Sequence, residues 1–131
     1  MKVRKEVQAV IFDDVDKAMK VLVLKKKDYS ARRYRWRLLK GGLQDGELEI
    51  EGLQREISEE IGLRNIRILN KVHAYEYFFK GIRHVVSGYL VRADSKEPIK
   101  LQKSEVADYL WTTKQEAFQM LHWSNERDAL G

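Results

Sequence analysis

The sequence predicts a single α+β domain over residues 1–131, a mixed β-sheet with helices packed on it. Three observations carry this reading. Apolar runs of strand length recur, as in Ala9-Val10-Ile11-Phe12 and Val21-Leu22-Val23-Leu24. One longer segment, 48–61, instead repeats its apolar residues at three- and four-residue spacing. The order of elements is strands, helix, strands, helix, with no internal repeat, low-complexity tract or Gly/Ser linker between them. A chain of 131 residues is the usual size of one domain.

In chain order, residues 3–12 alternate loosely and close on Val10-Ile11-Phe12, which reads as a strand. Asp13-Asp14-Val15-Asp16 is turn chemistry, and residues 20–26 form a second, buried strand, so the two make a hairpin. Residues 27–35 are polar and basic and read as a loop, and Trp36-Arg37-Leu38 as a short strand. Gly41, Gly42 and Gly46 then predict a sharply turning backbone. The helix over 48–61 has Ile50, Leu53, Ile57 and Ile61 as its apolar stripe and Gly62 as its C-terminal cap. Gly52 costs this helix roughly 1 kcal/mol against alanine, which predicts a close neighbour or a tolerated flaw. Strands at 66–79 and 84–93 are joined at Lys80-Gly81, and residues 105–111 are extended. A last helix runs from Thr112 or Thr113 to about 122, with Ala117, Met120 and Leu121 inward.

Composition narrows the chemistry. The chain has no cysteine, so disulfides, cysteine-ligated zinc or iron–sulfur sites and a cysteine nucleophile are excluded. His73, His84 and His122 lack metal-ligand spacing, and a bound metal must then be a hard one with oxygen ligands. The apolar runs fall far short of the roughly 20 residues that span a membrane, and the run in MKVRKEVQAVIF is too short for a signal peptide. The expectation is a cytoplasmic protein, monomer or homodimer. With 44% hydrophobic and 34% charged residues and a net charge of +5, it suits anionic partners, although solubility alone explains the charge as well.

Against that basic background, Glu47, Glu49, Glu51, Glu56, Glu59 and Glu60 crowd into 14 residues. On a helix Glu56 and Glu60 lie one above the other, with Glu59 beside them, on the face opposite the apolar stripe. Arg55 is four residues from both Glu51 and Glu59 and can pair with either. A solvated helix face is the plain alternative, but a tight group of oxygen ligands is what Mg²⁺ or Mn²⁺ requires. The glycine loop before the helix can turn a carbonyl toward such an ion or amide N–H groups toward a phosphate.

Gly41, five residues, Glu47, seven residues, then Arg55-Glu56-Ile57-Ser58-Glu59-Glu60-Ile61-Gly62-Leu63 resembles the Nudix box, G-x5-E-x7-R-E-U-x-E-E-x-G-U with U a bulky aliphatic, at every fixed position. The resemblance implies an α/β/α sandwich with a mixed sheet, the box forming a loop–helix–loop catalytic segment. It implies hydrolysis of a nucleoside diphosphate linked to another group, by water, with Mg²⁺ or Mn²⁺. Carried over residue by residue, it makes Glu56, Glu59 and Glu60 the metal carboxylates, one of them a base in some members. It makes the Gly41 carbonyl a metal ligand, Arg55 the residue that orients a glutamate, and Glu47 a structural or outer-sphere acid.

Outside the box, Trp36-Arg37-Leu38-Leu39-Lys40-Gly41 resembles the W-x-F-P-K-G lead-in of the diadenosine tetraphosphate hydrolases and RNA 5′-pyrophosphohydrolases, with Leu39 in place of proline and Lys40 placed to touch a phosphate. Glu105, Tyr109 and Trp111 fit part of the late S-x-E-H-x-x-Y-x-W pattern of the diadenosine tetraphosphate hydrolases, with Val106 in place of histidine. By that resemblance Glu105 is a further metal ligand or the base. Tyr75 and Tyr77 share one strand face with His73 in line. Tyr77 is thereby a candidate for stacking on a base, and sheet packing is the alternative. Arg32, Arg33 and Arg35, with Lys25, Lys26 and Lys27, offer a grip on a polyphosphate chain, Arg35 being the candidate contact; a solvated loop is the alternative. The expected substrate is therefore a dinucleoside polyphosphate such as diadenosine tetraphosphate. The alternatives are (deoxy)nucleoside triphosphates, ADP-ribose, RNA 5′ ends, or nucleotide and RNA binding without cleavage.

Overall fold

The computed structural model describes residues 2–28 and 32–131. Seven strands form one mixed sheet: β1 (Lys2–Val15), β2 (Ala18–Asp28), β3 (Arg33–Arg37), β4 (Leu39–Gly42), β5 (Ile66–Phe79), β6 (Ile82–Ala93) and β7 (Val106–Thr113). Their order is β3-β2-β1-β6-β5, with β4 on β1 and β7 on β2. β1 and β6 run parallel, while the remaining pairs are antiparallel. Three helices lie among the described residues: α1 (Glu49–Ile61), α2 (Lys114–Met120) and α3 (Ser124–Ala129).

Both faces of the sheet are covered, which is why Glu6 to Ile11 form one continuous buried run rather than a buried–exposed alternation. Val7, Ala9, Ile11, Leu22 and Leu24 pack against Leu53, Ile57 and Ile61 of α1. Val10, Val21, Val23 and Leu38 face the other way, onto Ala117, Leu121 and Leu130. The expected α/β/α layering is therefore present. The polar residues Glu6 and Gln8 share the second face with Val10, and both are buried.

α1 is bounded as its sequence dictates. The Glu51 carboxylate accepts from the Leu48 N–H at 3.0 Å, and Gly62, at φ +68°, caps the other end with its N–H directed to the carbonyls of Ile57 and Ser58. Glu49 and Glu51 sit in the first turn, where the helix dipole favours them. Glu59 and Glu60 sit in the last turn, where it does not, and no basic residue of the helix compensates there.

Several elements differ from expectation. The first hairpin turns at Asp16-Lys17, both at positive φ, so Asp13 to Val15 belong to β1; pairing of Val15 with Ala18 carries the ladder to the turn. Of the expected loop 27–35, Lys27 and Asp28 extend β2, and Arg33 to Arg35 open β3, because the ladder between the two strands continues out to Asp28 and Arg33. Residues 29–31 of that loop lie outside the described residues. Leu39 to Gly42 form a strand on β1 rather than a turn, and the sharp turn waits until Gly46 at φ +76°. Ile50 is 49% exposed and leaves the apolar stripe, since the first turn of α1 projects past the core. The last helix ends at Met120, and α3 follows as a separate element that its polar sequence SNERDA did not announce.

Candidate active site

Arg55 is the hub of the glutamate cluster. Its Nε donates to Glu47 Oε2 at 2.8 Å, and its Nη1 donates to Glu56 Oε1 at 2.8 Å and Glu59 Oε2 at 3.2 Å. Its Nη2 donates to Glu47 Oε1 and to the Gly42 carbonyl, each at 2.9 Å. The expected choice between Glu51 and Glu59 thus falls to Glu59, because Glu51 is committed to the N-terminus of α1. Glu47 is the principal anchor: the Arg55 hydrogen bonds hold its carboxyl down at about 2, from an ordinary value of 4.5.

Glu60 departs from the expected exposed patch. It is buried, 5% exposed, with Oε1 accepting from Lys26 Nζ at 2.9 Å. Its Oε2 is buried without a hydrogen-bond partner among the described residues. Burial raises the Glu60 pKa, Lys26 opposes the rise, and the negative charges of Glu56 and Glu105 add to it. Glu105 lies just ahead of β7 and is exposed; Glu59 is half-exposed. A helix turn sends Glu60 inward, Glu56 is largely covered by Gly41 and Arg55, and Glu59 stays at the rim. The positions of Glu56 and Glu60 four residues apart do not show this, because the core wraps around the C-terminal end of α1.

Gly41 is needed for space and not for a positive φ. A Cβ there would collide with the Glu56 carboxylate. Strand alternation on β4 then divides the site in two: Gly41 faces Glu56, and its neighbour Lys40 faces the opposite side of the sheet.

On that opposite side lies a cleft of about 410 Å³, lined by Lys40, Lys27, Asp28, Arg37, Tyr75, Tyr77, Phe78, Phe79, Trp123, Asn125 and Glu126. Tyr77 donates its hydroxyl to Glu6 Oε1 and accepts from Lys40 Nζ, each at 2.8 Å, and its ring stacks on His84 at 4.5 Å. Tyr75 donates to Gln8 Oε1 at 3.1 Å, and His73, Tyr75 and Tyr77 follow one another along the face as their spacing implied. Burial lowers the Lys40 ammonium to about 8. Arg35 donates to Asp28 at 2.7 Å and stiffens the β2–β3 hairpin, whereas Arg37, two residues on, is the arginine that lines the cleft. Glu126 locks Arg37 in place, accepting from its Nε at 2.8 Å and from the Leu38 N–H at 2.7 Å. Arg37, Trp123 and Glu126 were not singled out in the sequence. Nothing in the local sequence around Trp123 hints that α3 folds back onto β5 and the end of β3.

The cluster suits a divalent cation by its own chemistry. Its donors are hard oxygens, one buried carboxylate oxygen lacks a partner among the described residues, and the Gly41 notch leaves room for the Glu56 carboxylate. Among the described residues no three acidic side chains already converge into a metal cage, and Arg55 and Lys26 occupy oxygens of Glu56, Glu59 and Glu60.

The family model of the NUDIX domain matches residues 2–130. The chain belongs to the NUDIX domain family. This Nudix chain is 38% identical over 71 residues to an RNA pyrophosphohydrolase of Shewanella denitrificans, a match that covers 50% of the chain and 38% of that relative's length. Among solved structures it is similar to a C. elegans Ap4A hydrolase in a binary complex, with a TM-score of 0.85 and 20% identity over 97% of this chain and 92% of the other. It is also similar to the Nudix domain of Shewanella oneidensis NrtR in complex with ADP ribose, with a TM-score of 0.73 and 20% identity over 95% and 82% of the two chains. At these identities the structural likeness establishes the fold. No helix of the described residues is long and apolar enough to cross a membrane.

Proposed function

We propose that this single Nudix domain is a pyrophosphohydrolase dependent on Mg²⁺ or Mn²⁺, and that its preferred substrate is a dinucleoside polyphosphate such as diadenosine tetraphosphate. The observation that carries the reading is the junction at β4, where consecutive residues join the glutamate cluster to an aromatic, cationic cleft. A nucleotide has the matching halves: a flat base for the cleft and an anionic chain for the cluster.

Glu56, Glu59 and Glu60, with the Gly41 carbonyl, would hold the ion. When bound, it neutralises charge on the bridging and leaving oxygens of the phosphoanhydride. Arg55 fixes Glu56 and Glu59 through hydrogen bonds, so these carboxylates are aimed before substrate arrives. Glu105, exposed at the rim, serves as the base that takes a proton from the attacking water. A new P–O bond forms to that water as the anhydride P–O bond breaks, and the leaving phosphate carries away the electron pair. Lys40 and Arg37 bind phosphate oxygens, and Tyr77 with Trp123 frames the base. Arg35 contributes by holding the hairpin beside the cleft.

RNA 5′ ends are the second reading, favoured by the sequence similarity to the Shewanella denitrificans RNA pyrophosphohydrolase. The test is product analysis by chromatography across diadenosine tetraphosphate, ATP, dGTP, ADP-ribose and 5′-triphosphorylated RNA, with Mg²⁺ and then Mn²⁺. Cleavage of diadenosine tetraphosphate to ATP and AMP, well above the rest, is expected. Preference for another substrate moves the substrate assignment, and nucleotide binding without turnover overturns the enzyme reading.

A further inference from the structure

Lys26 has no place in the Nudix box, yet it makes the innermost contact of the glutamate cluster. Its Nζ lies 2.9 Å from Glu60 Oε1 and 3.4 Å from the carbonyl oxygen of Lys40, the residue directly before Gly41. The side chains of Lys26 and Glu60 are 14% and 6% exposed, so this ammonium has left water to sit between a buried carboxylate and a backbone carbonyl. Such a position is expensive for a lysine unless the site demands positive charge. The demand is evident. Glu60 lies in the last turn of α1, against the helix dipole, with Glu56 and Glu105 adding negative charge around it. Arg55 answers for Glu47, Glu56 and Glu59 and makes no hydrogen bond to Glu60.

We propose that Lys26 is a resident counter-cation that stands in for the divalent ion on Glu60 and gives the carboxylate up when the ion binds. The inference rests on the metal-site reading above and deepens it. Two oxygens of the site, Glu60 Oε1 and the Lys40 carbonyl next to the expected Gly41 ligand, are already bridged by one positive group. That is the arrangement a cation imposes. Glu60 Oε2, without a hydrogen-bond partner among the described residues, marks the carboxylate as only half satisfied by the lysine, which leaves an oxygen for the incoming ion. The pair therefore does two opposed things. It keeps the metal-free helix folded, and it weakens metal affinity, because the ion must displace a charge of its own sign.

The test compares the wild-type chain with Lys26→Met and Lys26→Arg at pH 8, by calorimetric titration with Mn²⁺ and by thermal unfolding with EDTA or Mn²⁺. Lys26→Met should bind Mn²⁺ about ten-fold more tightly, unfold at lower temperature in EDTA, and gain more from Mn²⁺ than the wild type gains. Lys26→Arg should retain the wild-type stability in EDTA. A variant that folds only with Mn²⁺ supports the proposal in the same sense. Unchanged or weaker Mn²⁺ binding by Lys26→Met overturns it while leaving the metal site intact. Absence of Mn²⁺ binding by the wild-type chain overturns the metal-site reading itself, and the proposal with it. A second measurement does not depend on Lys26→Met folding: the Lys26 side-chain NMR resonance of the wild-type chain, assigned by its absence in Lys26→Arg, should move on titration with Mg²⁺. A resonance that stays fixed while the ion binds overturns the displacement.

Discussion

Glu59 and Glu60 look alike in the sequence but are held differently, and their variants should separate accordingly. Glu59 is half-exposed and shares Arg55 with two other carboxylates, so Glu59→Gln should lower turnover by orders of magnitude with little change in thermal unfolding. Glu60→Gln should lower turnover comparably and also cost about 3 kcal/mol of metal-free stability, because it leaves Lys26 buried without its partner. Steady-state kinetics with Mg²⁺, alongside denaturation in EDTA, checks both. Glu47 yields a prediction in pH. Its folded value of about 2 lies below the ordinary 4.5, so its contribution to stability is fully present above 4.5 and is lost as pH falls from there toward 2. Glu47→Gln should flatten the acid limb of a stability-versus-pH curve in that window; an unchanged limb would show that other carboxylates dominate it.

Two elements owe their positions to contacts that helix propensity does not capture. Gly52 sits in α1 where a Cβ would meet the Leu43 side chain and lie 2.9 Å from Glu47 Oε1. Gly52→Ala should therefore destabilise the protein by about 1–3 kcal/mol in urea unfolding, although alanine is the better helix former by about 1 kcal/mol. Any stabilisation would mean that the loop before α1 yields freely. α3 has six residues, too few to hold a helix in isolation, and its buried Glu126 ties it to Arg37 and Leu38. Glu126→Ala should cost about 3 kcal/mol, since it leaves the Leu38 N–H without its acceptor and Arg37 without its counter-charge. The same variant should raise KM more than it lowers kcat, because Arg37 loses its fixed place in the cleft.

Across the whole molecule, the net charge of +5 coexists with a local acidic cluster, and the two act at different ranges. The global field attracts a polyanion, while the cluster acts only at contact. KM for diadenosine tetraphosphate should rise with salt between 0.05 and 0.5 M, on the order of several-fold, and more steeply than KM for ADP-ribose, which carries fewer phosphates. Equal slopes for the two substrates would remove the argument that links the basic surface to a long polyphosphate chain.

Local pattern was enough to specify α1, its glycine cap and the Nudix box, because hydrophobic period, capping and ligand spacing all act within a few turns of one helix. It was enough for the existence of β1, β2, β5 and β6 and for the Lys80-Gly81 turn as well, but not for the first hairpin turn, which sits at Asp16-Lys17 because the β1–β2 ladder continues to Val15 and Ala18. The partners of those elements are another matter. Glu60 and Lys26 are 34 residues apart, Lys40 and Tyr77 are 37, and Leu38 and Glu126 are 88. No periodicity reports such pairs. The glutamates announced a need for positive charge. Only the packing of β2 under α1 decided that a lysine supplies part of it from within, and only the return of α3 onto β5 and the end of β3 turned a solvated-looking C-terminus into a wall of the cleft. Short-range chemistry is written in neighbouring residues, whereas burial depends on which distant surfaces the sheet brings together.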